Sequence, residues 1–403
     1  MKNKDVTRRD FVKTLGVVGV GSVMAARAAL AQTNAAPAAS PQAPLNPKMP
    51  TRPFGRTGVQ VSMLALGGIF DIESNQLVLR QALDWGVTYW DTAAGYNGGK
   101  SEGGIGMYLE KNPQARRNIF LVTKYDGGGL TEALNQSLEK MKTDYVDMYF
   151  LHGTTGGFSA DTKAWAEKMK AANKIRYFGF SSHSNMDSDL QAAAKAGWID
   201  GIMLKYDFRL MQTDAMKAAM DAATKAGIGL TAMKTQAKDA IATDTEADLK
   251  MGGHFLQRGF SQQQAKLKAV WENPQIATIC SQMGSLTVLH SNIAAALDKT
   301  ALTAEDHAAL REYAAATQSR HCAGCTRFCE SALNGQVPVG DVMRALMYHR
   351  SYGDPELAQT VFGRLPEAAR RGLDGLDYGA AERACPHHLP IAQLMREAGE
   401  MFG

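Results

Sequence analysis

Asp91, Tyr96, Lys124 and His152 are the residues of this sequence whose types and spacing suit joint chemistry. Asp91 follows the short apolar run Val87–Trp90, and Tyr96 comes five residues later, which sets an acid and a phenol side by side at a cavity edge. Two later apolar runs also end in a group able to move or steady a proton: Asn118–Lys124 in a lysine and Val146–His152 in a histidine. Three successive strands would bring all four groups to one end of a sheet, and proton transfer is the chemistry they offer there. The competing interpretation is a purely structural ion pair between Lys124 and Asp91.

The elements that must position these residues follow from the hydrophobic pattern. Eight short apolar runs alternate with amphipathic helical stretches: Val61–Leu66, Val87–Thr92, Ile119–Lys124, Val146–His152, Arg176–Ser181, Gly201–Tyr206, Gly227–Lys234 and Ile276–Ser281. Stretches such as Thr131–Lys142, Asp161–Ala172 and Ala215–Ala226 have helical spacing. Eight strand–helix units predict an α/β fold, a (β/α)8 TIM barrel, in which function gathers at the C-terminal strand ends. An open doubly wound sheet would require a glycine-rich turn after the first strand, and Gly67-Gly68-Ile69-Phe70-Asp71 is not that fingerprint.

At 403 residues and 45% hydrophobic content the chain can bury a full core. Its formal charge of +4 lies wholly in residues 1–31, which hold six Lys or Arg against two Asp, so the remainder is neutral. That balance argues against nucleic acid or an anionic membrane as a partner. Thr7-Arg8-Arg9-Asp10-Phe11 precedes an apolar run from Leu15 to Leu30 that closes with Ala29-Leu30-Ala31. Paired arginines, an apolar core and an A-x-A site predict a twin-arginine signal peptide over 1–31, export of a folded, cofactor-loaded protein to the periplasm, and no membrane span after cleavage. A membrane anchor is the alternative for this run. Residues 32–50, rich in Ala, Pro and Gln, read as a flexible tether.

Across residues 52 to about 297 the chain resembles the aldo/keto reductases. The pieces that carry the resemblance are Phe54-Gly55-Arg56-Thr57-Gly58, Asp91-Thr92-Ala93 with Tyr96 and Ser101-Glu102, Val122-Thr123-Lys124, Asp144–Asp147 leading to Leu151-His152, Gly179–Ser182, and Met283-Gly284-Ser285 running to Asn292. The resemblance implies a catalytic tetrad of Asp91, Tyr96, Lys124 and His152, working with NADP or NAD on a small carbonyl or alcohol. In that scheme Tyr96 protonates the carbonyl oxygen and His152 donates a hydrogen bond to it. A free phenol near pKa ~10 is a poor acid, and the Lys124 ammonium, fixed by Asp91, is expected to lower it. The cofactor would be held by Ser181, Ser182, Tyr206, Gly284, Ser285 and Asn292. The match is looser there: Ser182 stands where relatives carry Asn, and Met203 where they often carry Gln.

Beyond Lys299 the pattern changes. Cys322, Cys325 and Cys329 form C-x2-C-x3-C, and Cys385-Pro386 comes much later. Four thiolates are what one [4Fe-4S] cluster needs. The arrangement resembles the ferredoxin-like tail of some aldo/keto reductases, stripped to one site, since the second run would fall on Ala381, Tyr378 and Gly375. Zinc and disulfides are the alternatives for these cysteines. Cys280 lies in an apolar run and reads as core, His183 and His254 as loop histidines, with His254 where a lid over the barrel mouth would form, and Val342–Tyr348 as helical packing.

The sequence therefore predicts a barrel over 51–300 and a mainly helical iron–sulfur tail over 301–403, with the export machinery and an electron-transfer protein as partners. A non-catalytic nicotinamide-binding or redox-sensing subunit with a structural metal site is the second reading. A metal-dependent hydrolase is disfavoured, because the strand tips lack the required His and carboxylate clusters.

Overall fold

Eight parallel strands close into a barrel in a computed structural model that describes residues 48–153, 158–236, 238–242 and 244–403. The expected leader and nearly all of the tether lie outside the described residues. A short antiparallel hairpin, β1 (Thr51–Pro53) and β2 (Gln60–Ser62), comes first. The barrel strands are β3 (Leu64–Gly67), β4 (Tyr89–Asp91), β5 (Phe120–Tyr125), β6 (Val146–Leu151), β7 (Ile175–Ser182), β8 (Gly201–Lys205), β9 (Gly229–Met233) and β10 (Thr278–Gln282). They pair in sequence order, and β10 closes the ring against both β3 and β9. Covered by helices outside and side chains inside, these strands read as near-continuous apolar runs. All eight lie within or overlap the runs expected from the sequence, and every strand of the ring is parallel.

The connecting helices are α1 (Gln76–Asp84), α2 (Lys100–Lys111), α3 (Leu130–Lys140), α4 (Ala160–Ala171), α5 (Met186–Ala196), α6 (Asp214–Lys225), α7 (Glu246–Gln257), α8 (Gln262–Trp271) and α9 (Leu286–Leu297). Ser159, Thr213, Thr245, Ser261 and Ser285 begin five of them, each side chain accepting a backbone N–H that the first turn would leave unpaired. The hairpin closes the N-terminal end of the barrel. Phe54, fully buried, packs on Tyr89 and Phe120, and Gly229 leaves room for it: a Cβ there would stand 2.5 Å from the ring. With that end plugged, the C-terminal strand ends are the accessible mouth. Met49, late in the expected tether, is buried and donates its N–H to Trp85 O at 2.8 Å.

The tail is helical: α10 (Ala304–Ala316), α11 (Thr326–Ala332), α12 (Val339–Met347), α13 (Pro355–Gly363), α14 (Glu367–Arg371), α15 (Gly379–Ala384) and α16 (Ile391–Phe402). α10 packs on α7 through Phe255, Phe260, Leu310 and Tyr313. The later helices share a second core around Val342, Leu346, Phe362, Leu394 and Met395. That core draws in Ala240 from the barrel loop after β9, and the described residues form one compact unit. Among the described residues no helix is long and apolar enough to cross a membrane.

Candidate active site

Asp91 ends β4, and Lys124 lies one position before the end of the neighbouring strand β5. Both side chains are buried, and Lys124 Nζ donates to Asp91 Oδ1 and Oδ2 at 2.7 Å each and to Thr92 O at 2.8 Å. Burial pushes the carboxyl up, and the ammonium opposes it. Such a pair is costly to desolvate and costlier to break.

Tyr96 enters the mouth at the start of a tight turn in which Asn97, Gly98 and Gly99 all have positive φ. Its ring meets the His152 ring edge-on, 5.5 Å between centroids, and Lys124 Nζ lies 4.6 Å from its centroid. The expected lowering of its pKa is not what this arrangement produces. Burial, then the charge of Asp91, hold the Tyr96 phenol well above its usual value. Lys124 is engaged by Asp91 and Thr92 O, so its direct hydrogen bonds go to them. At neutral pH Tyr96 is therefore a proton carrier in its neutral form.

His152 follows β6, and its Nδ1 is hydrogen-bonded to Asp126 Oδ1. Asp126 also accepts the Gly95 N–H at 2.6 Å and lies 3.7 Å from Arg364. Burial alone would raise the Asp126 carboxyl, but His152, the Gly95 amide and Arg364 together hold it below the usual range. An ionised carboxylate only accepts, so Nδ1 carries a proton. A neutral His152 then presents a lone pair at Nε2, and only the imidazolium donates there. Burial lowers the His152 pKa, which favours the neutral ring. The expected donor role of His152 is thereby restricted to its protonated form.

These groups face a cavity of about 240 Å³ lined on the barrel side by Asp91, Tyr96, Asp126, His152, His183 and Cys280. Its other wall is the tail: Arg344, Tyr348, Tyr352 and Arg364 reach in from α12, from the π-helical turn Tyr348–Tyr352, and from just after α13. This tail wall was absent from the sequence reading, although Arg344, Tyr348 and Tyr352 recur at intervals of four on one helical face. Val342, Met343 and Leu346 of the same stretch do pack in the tail core. His254 instead pairs with Asp306 at 2.7 Å on the α7–α10 side. Cys280, expected in the core, packs against the inner barrel core and also lines the cavity, with Sγ 3.7 Å from Asp91 Oδ2. Glu102 is buried in the first turn of α2 and accepts Thr123 Oγ1 at 2.6 Å.

A second cavity opens along β10 and the N-terminus of α9 and shares Lys234, Cys280, Gln282 and Tyr352 with the first. Gly284, Ser285 and Asn292 line it, as do Lys238 and Thr287, and no carboxylate does among the described residues. A helix N-terminus with nearby lysines suits the phosphates of a dinucleotide, so this chain's residues fit a nicotinamide cofactor. Ser181, Ser182 and Tyr206 are engaged elsewhere. Ser181 Oγ accepts the Gly153 N–H at 2.9 Å, Ser182 Oγ donates to Asp189 at 2.7 Å, and buried Tyr206 accepts the Asn273 amide at 2.9 Å. Tyr206 belongs to the main apolar core, away from both cavities.

In the tail, Cys322 and Cys325 precede α11, Cys329 lies within it and Cys385 caps α15; none is disulfide-bonded. α11 and α15 pack together. Burial pushes the Cys325 thiol up to about 11 and the Cys329 thiol up to about 12, and Cys322 and Cys385 add to both shifts. Cys385 lies in the tail core, and Cys322 and Cys329 pack against that core. Among the described residues, no three His, Cys, Asp or Glu side chains close on a point as a single metal ion requires.

The Aldo/keto reductase family model matches residues 63–315, well over half of the chain. An uncharacterized oxidoreductase, YqkF, of Bacillus subtilis is 33% identical over 33% of this chain and 49% of its own length. The Schizosaccharomyces pombe aldo-keto reductase yakc [NADP(+)] is 30% identical over 40% of this chain and 50% of its own. The chain thus spans about half the length of these curated relatives. An aldo-keto reductase from Klebsiella pneumoniae in complex with NADPH superimposes with a TM-score of 0.54 at 25% identity, covering 66% of this chain and 95% of that one.

Proposed function

The chain belongs to the aldo/keto reductase family, and from that membership we propose that it reduces a small carbonyl compound, or oxidises the corresponding alcohol, with NADP(H). The observation that carries this reading is the buried Lys124–Asp91 pair under Tyr96 and beside His152, all at the mouth of the barrel. The nicotinamide, when bound, supplies the hydride for reduction and takes it in oxidation. Tyr96, neutral at working pH, gives its proton to the carbonyl oxygen, or takes one from the alcohol in reverse. Lys124 stabilises the phenolate left behind, and Asp91 keeps Lys124 in place.

The tautomer set by Asp126 has a kinetic consequence. Protonated His152 donates to the carbonyl oxygen and neutral His152 does not, so kcat/KM for reduction should rise as pH falls toward the His152 pKa, which burial sets below 6.5. In Asp126→Asn the side-chain amide can donate to Nδ1, leaving Nε2–H on the neutral ring, and the acid-side rise should disappear. Superimposable pH profiles for the two proteins would remove Asp126 from this role.

For the tail we propose one [4Fe-4S] cluster held by Cys322, Cys325, Cys329 and Cys385. Thiolates on one zinc stand only ~4 Å apart, as Zn–S bonds of about 2.3 Å require. A cluster gives each thiolate its own iron and accepts a wider set. Protein purified without air should carry about four irons and four sulfides, and Cys385→Ser should lose them while Cys280→Ser keeps them. One zinc and no sulfide in the wild-type protein would refute the cluster. We also propose twin-arginine export to the periplasm, supported by Arg8 and Arg9 before the apolar run. Replacing both with Lys should leave an unprocessed precursor in the cytoplasm, and normal periplasmic accumulation would contradict this.

A further inference from the structure

His183, Lys234 and Arg344 line both the active-site cavity and a much smaller one of about 30 Å³ beside Cys322, so they form the partition between the two. They come from three segments: the end of β7, the end of β9, and α12 of the tail. Lys234 Nζ donates to Tyr348 Oη at 2.7 Å and sits 4.3 Å over that ring. That phenol is the one side-chain hydrogen-bond partner of its ammonium among the described residues, and Lys234 holds the left-handed conformation, φ 56°, that side chains ordinarily avoid. Arg344 pairs with Asp341 at 3.0 Å on its own helix. His183 Nδ1 is buried with no hydrogen-bond partner.

The carboxylates at this cavity are Asp91 and Asp126, and both are already engaged, by Lys124 and by His152 with Arg364. The smaller cavity has no carboxylate among its described lining residues. Burial first, then the charges of Arg344 and Lys234, hold His183 well below its usual pKa, so the charges on this wall are those of Lys234 and Arg344; burial, then Arg344, also lowers Lys234 against the opposing Tyr348. Gathering like charges in a partly desolvated wall is unfavourable unless something anionic completes it.

We infer that His183, Lys234 and Arg344, with the Tyr348 hydroxyl, bind the carboxylate of an acidic carbonyl substrate whose carbonyl faces Tyr96, so that the tail selects an oxo acid or aldehyde acid. This rests on the reductase reading and adds its substrate class. The tail is thereby part of the specificity pocket, because Arg344 and Tyr348 reach the cavity only when α12 is docked on the barrel.

The test uses the full-length protein and two aldehydes of similar size, succinic semialdehyde and butanal. The acid should be preferred in kcat/KM, and Arg344→Gln should reduce that preference about 10- to 100-fold, mostly through KM, as loss of one charge-assisted contact implies. Arg344→Lys should restore part of it. Succinate, which cannot react, should bind the NADP-loaded protein by calorimetry and bind Arg344→Gln about 10-fold or more weakly, with NADPH affinity unchanged. Equal use of both aldehydes by the wild-type protein overturns the inference, and so does an unaltered preference in Arg344→Gln. Weakened NADPH binding in that variant also overturns it, by assigning the wall to the cofactor's phosphates. If neither aldehyde reacts, the reductase reading fails by itself, and the succinate titration still decides whether the wall binds carboxylates.

Discussion

Tyr96→Phe is expected to lower kcat for carbonyl reduction by roughly 10² to 10⁴ while leaving NADPH affinity nearly unchanged. The substitution removes one hydroxyl and keeps the ring that packs edge-on against His152 and faces Lys124 Nζ. Only the group that delivers the proton is lost. The phenol is held well above its usual pKa by burial and by Asp91, so the proton it delivers is present throughout the working pH range. Steady-state kinetics with a fluorescence titration of NADPH separate the two effects. Undiminished turnover would remove Tyr96 from the chemistry and direct attention to Tyr348. Burial raises that phenol too, but the nearby cations Lys234 and Arg344 outweigh it and bring it below the usual range.

Lys124→Met should abolish activity and also destabilise the protein by about 3–5 kcal/mol, because it leaves the Asp91 carboxylate buried without its partner. Without the ammonium, the main opposition to burial is lost and the folded-state pKa of Asp91 rises further above its unfolded value. A carboxyl raised in this way costs stability where the unfolded chain is ionised, and that cost fades as pH falls below the unfolded value near ~3.9. Urea unfolding of the variant should therefore show its largest deficit at neutral pH and a smaller one in acid. Asp91→Asn combined with Lys124→Met should recover much of the stability and none of the activity. A single variant as stable as wild type would show that the pair is dispensable for the fold.

The barrel was legible because each strand is a short apolar run between helical stretches, and that pattern is local. The residues at the strand ends were legible for the same reason: Asp91, Lys124 and His152 each terminate a run. Asp126 carried a signal that was passed over. It lies two residues beyond Lys124, and side chains two apart share a face of an extended chain. The tail wall was harder to read. The contact between Lys234 and Tyr348 joins residues 114 apart, and nothing in either segment specifies which face of α12 meets the barrel. Its polar stripe of Arg344, Tyr348 and Tyr352 is interleaved with Val342, Met343 and Leu346, so an apolar average hides it. Tyr206 misled in the opposite way, since it follows directly on a barrel strand, yet its ring turns into the core and its hydroxyl accepts from Asn273. The lowered phenol pKa was assigned to Tyr96 from charge proximity alone, whereas the lysine beside it is already held by Asp91 and Thr92.

The central claim is hydride and proton transfer to a carbonyl at Tyr96. A single-turnover reaction with NADPH carrying deuterium in its transferable position, followed by mass and NMR analysis of the alcohol, tests it most directly. One deuterium should appear on the carbinol carbon of the product with wild-type protein, and almost none in the same time with Tyr96→Phe. Recovery of unreacted aldehyde and intact labelled NADPH from wild-type protein shown to bind both would contradict the account.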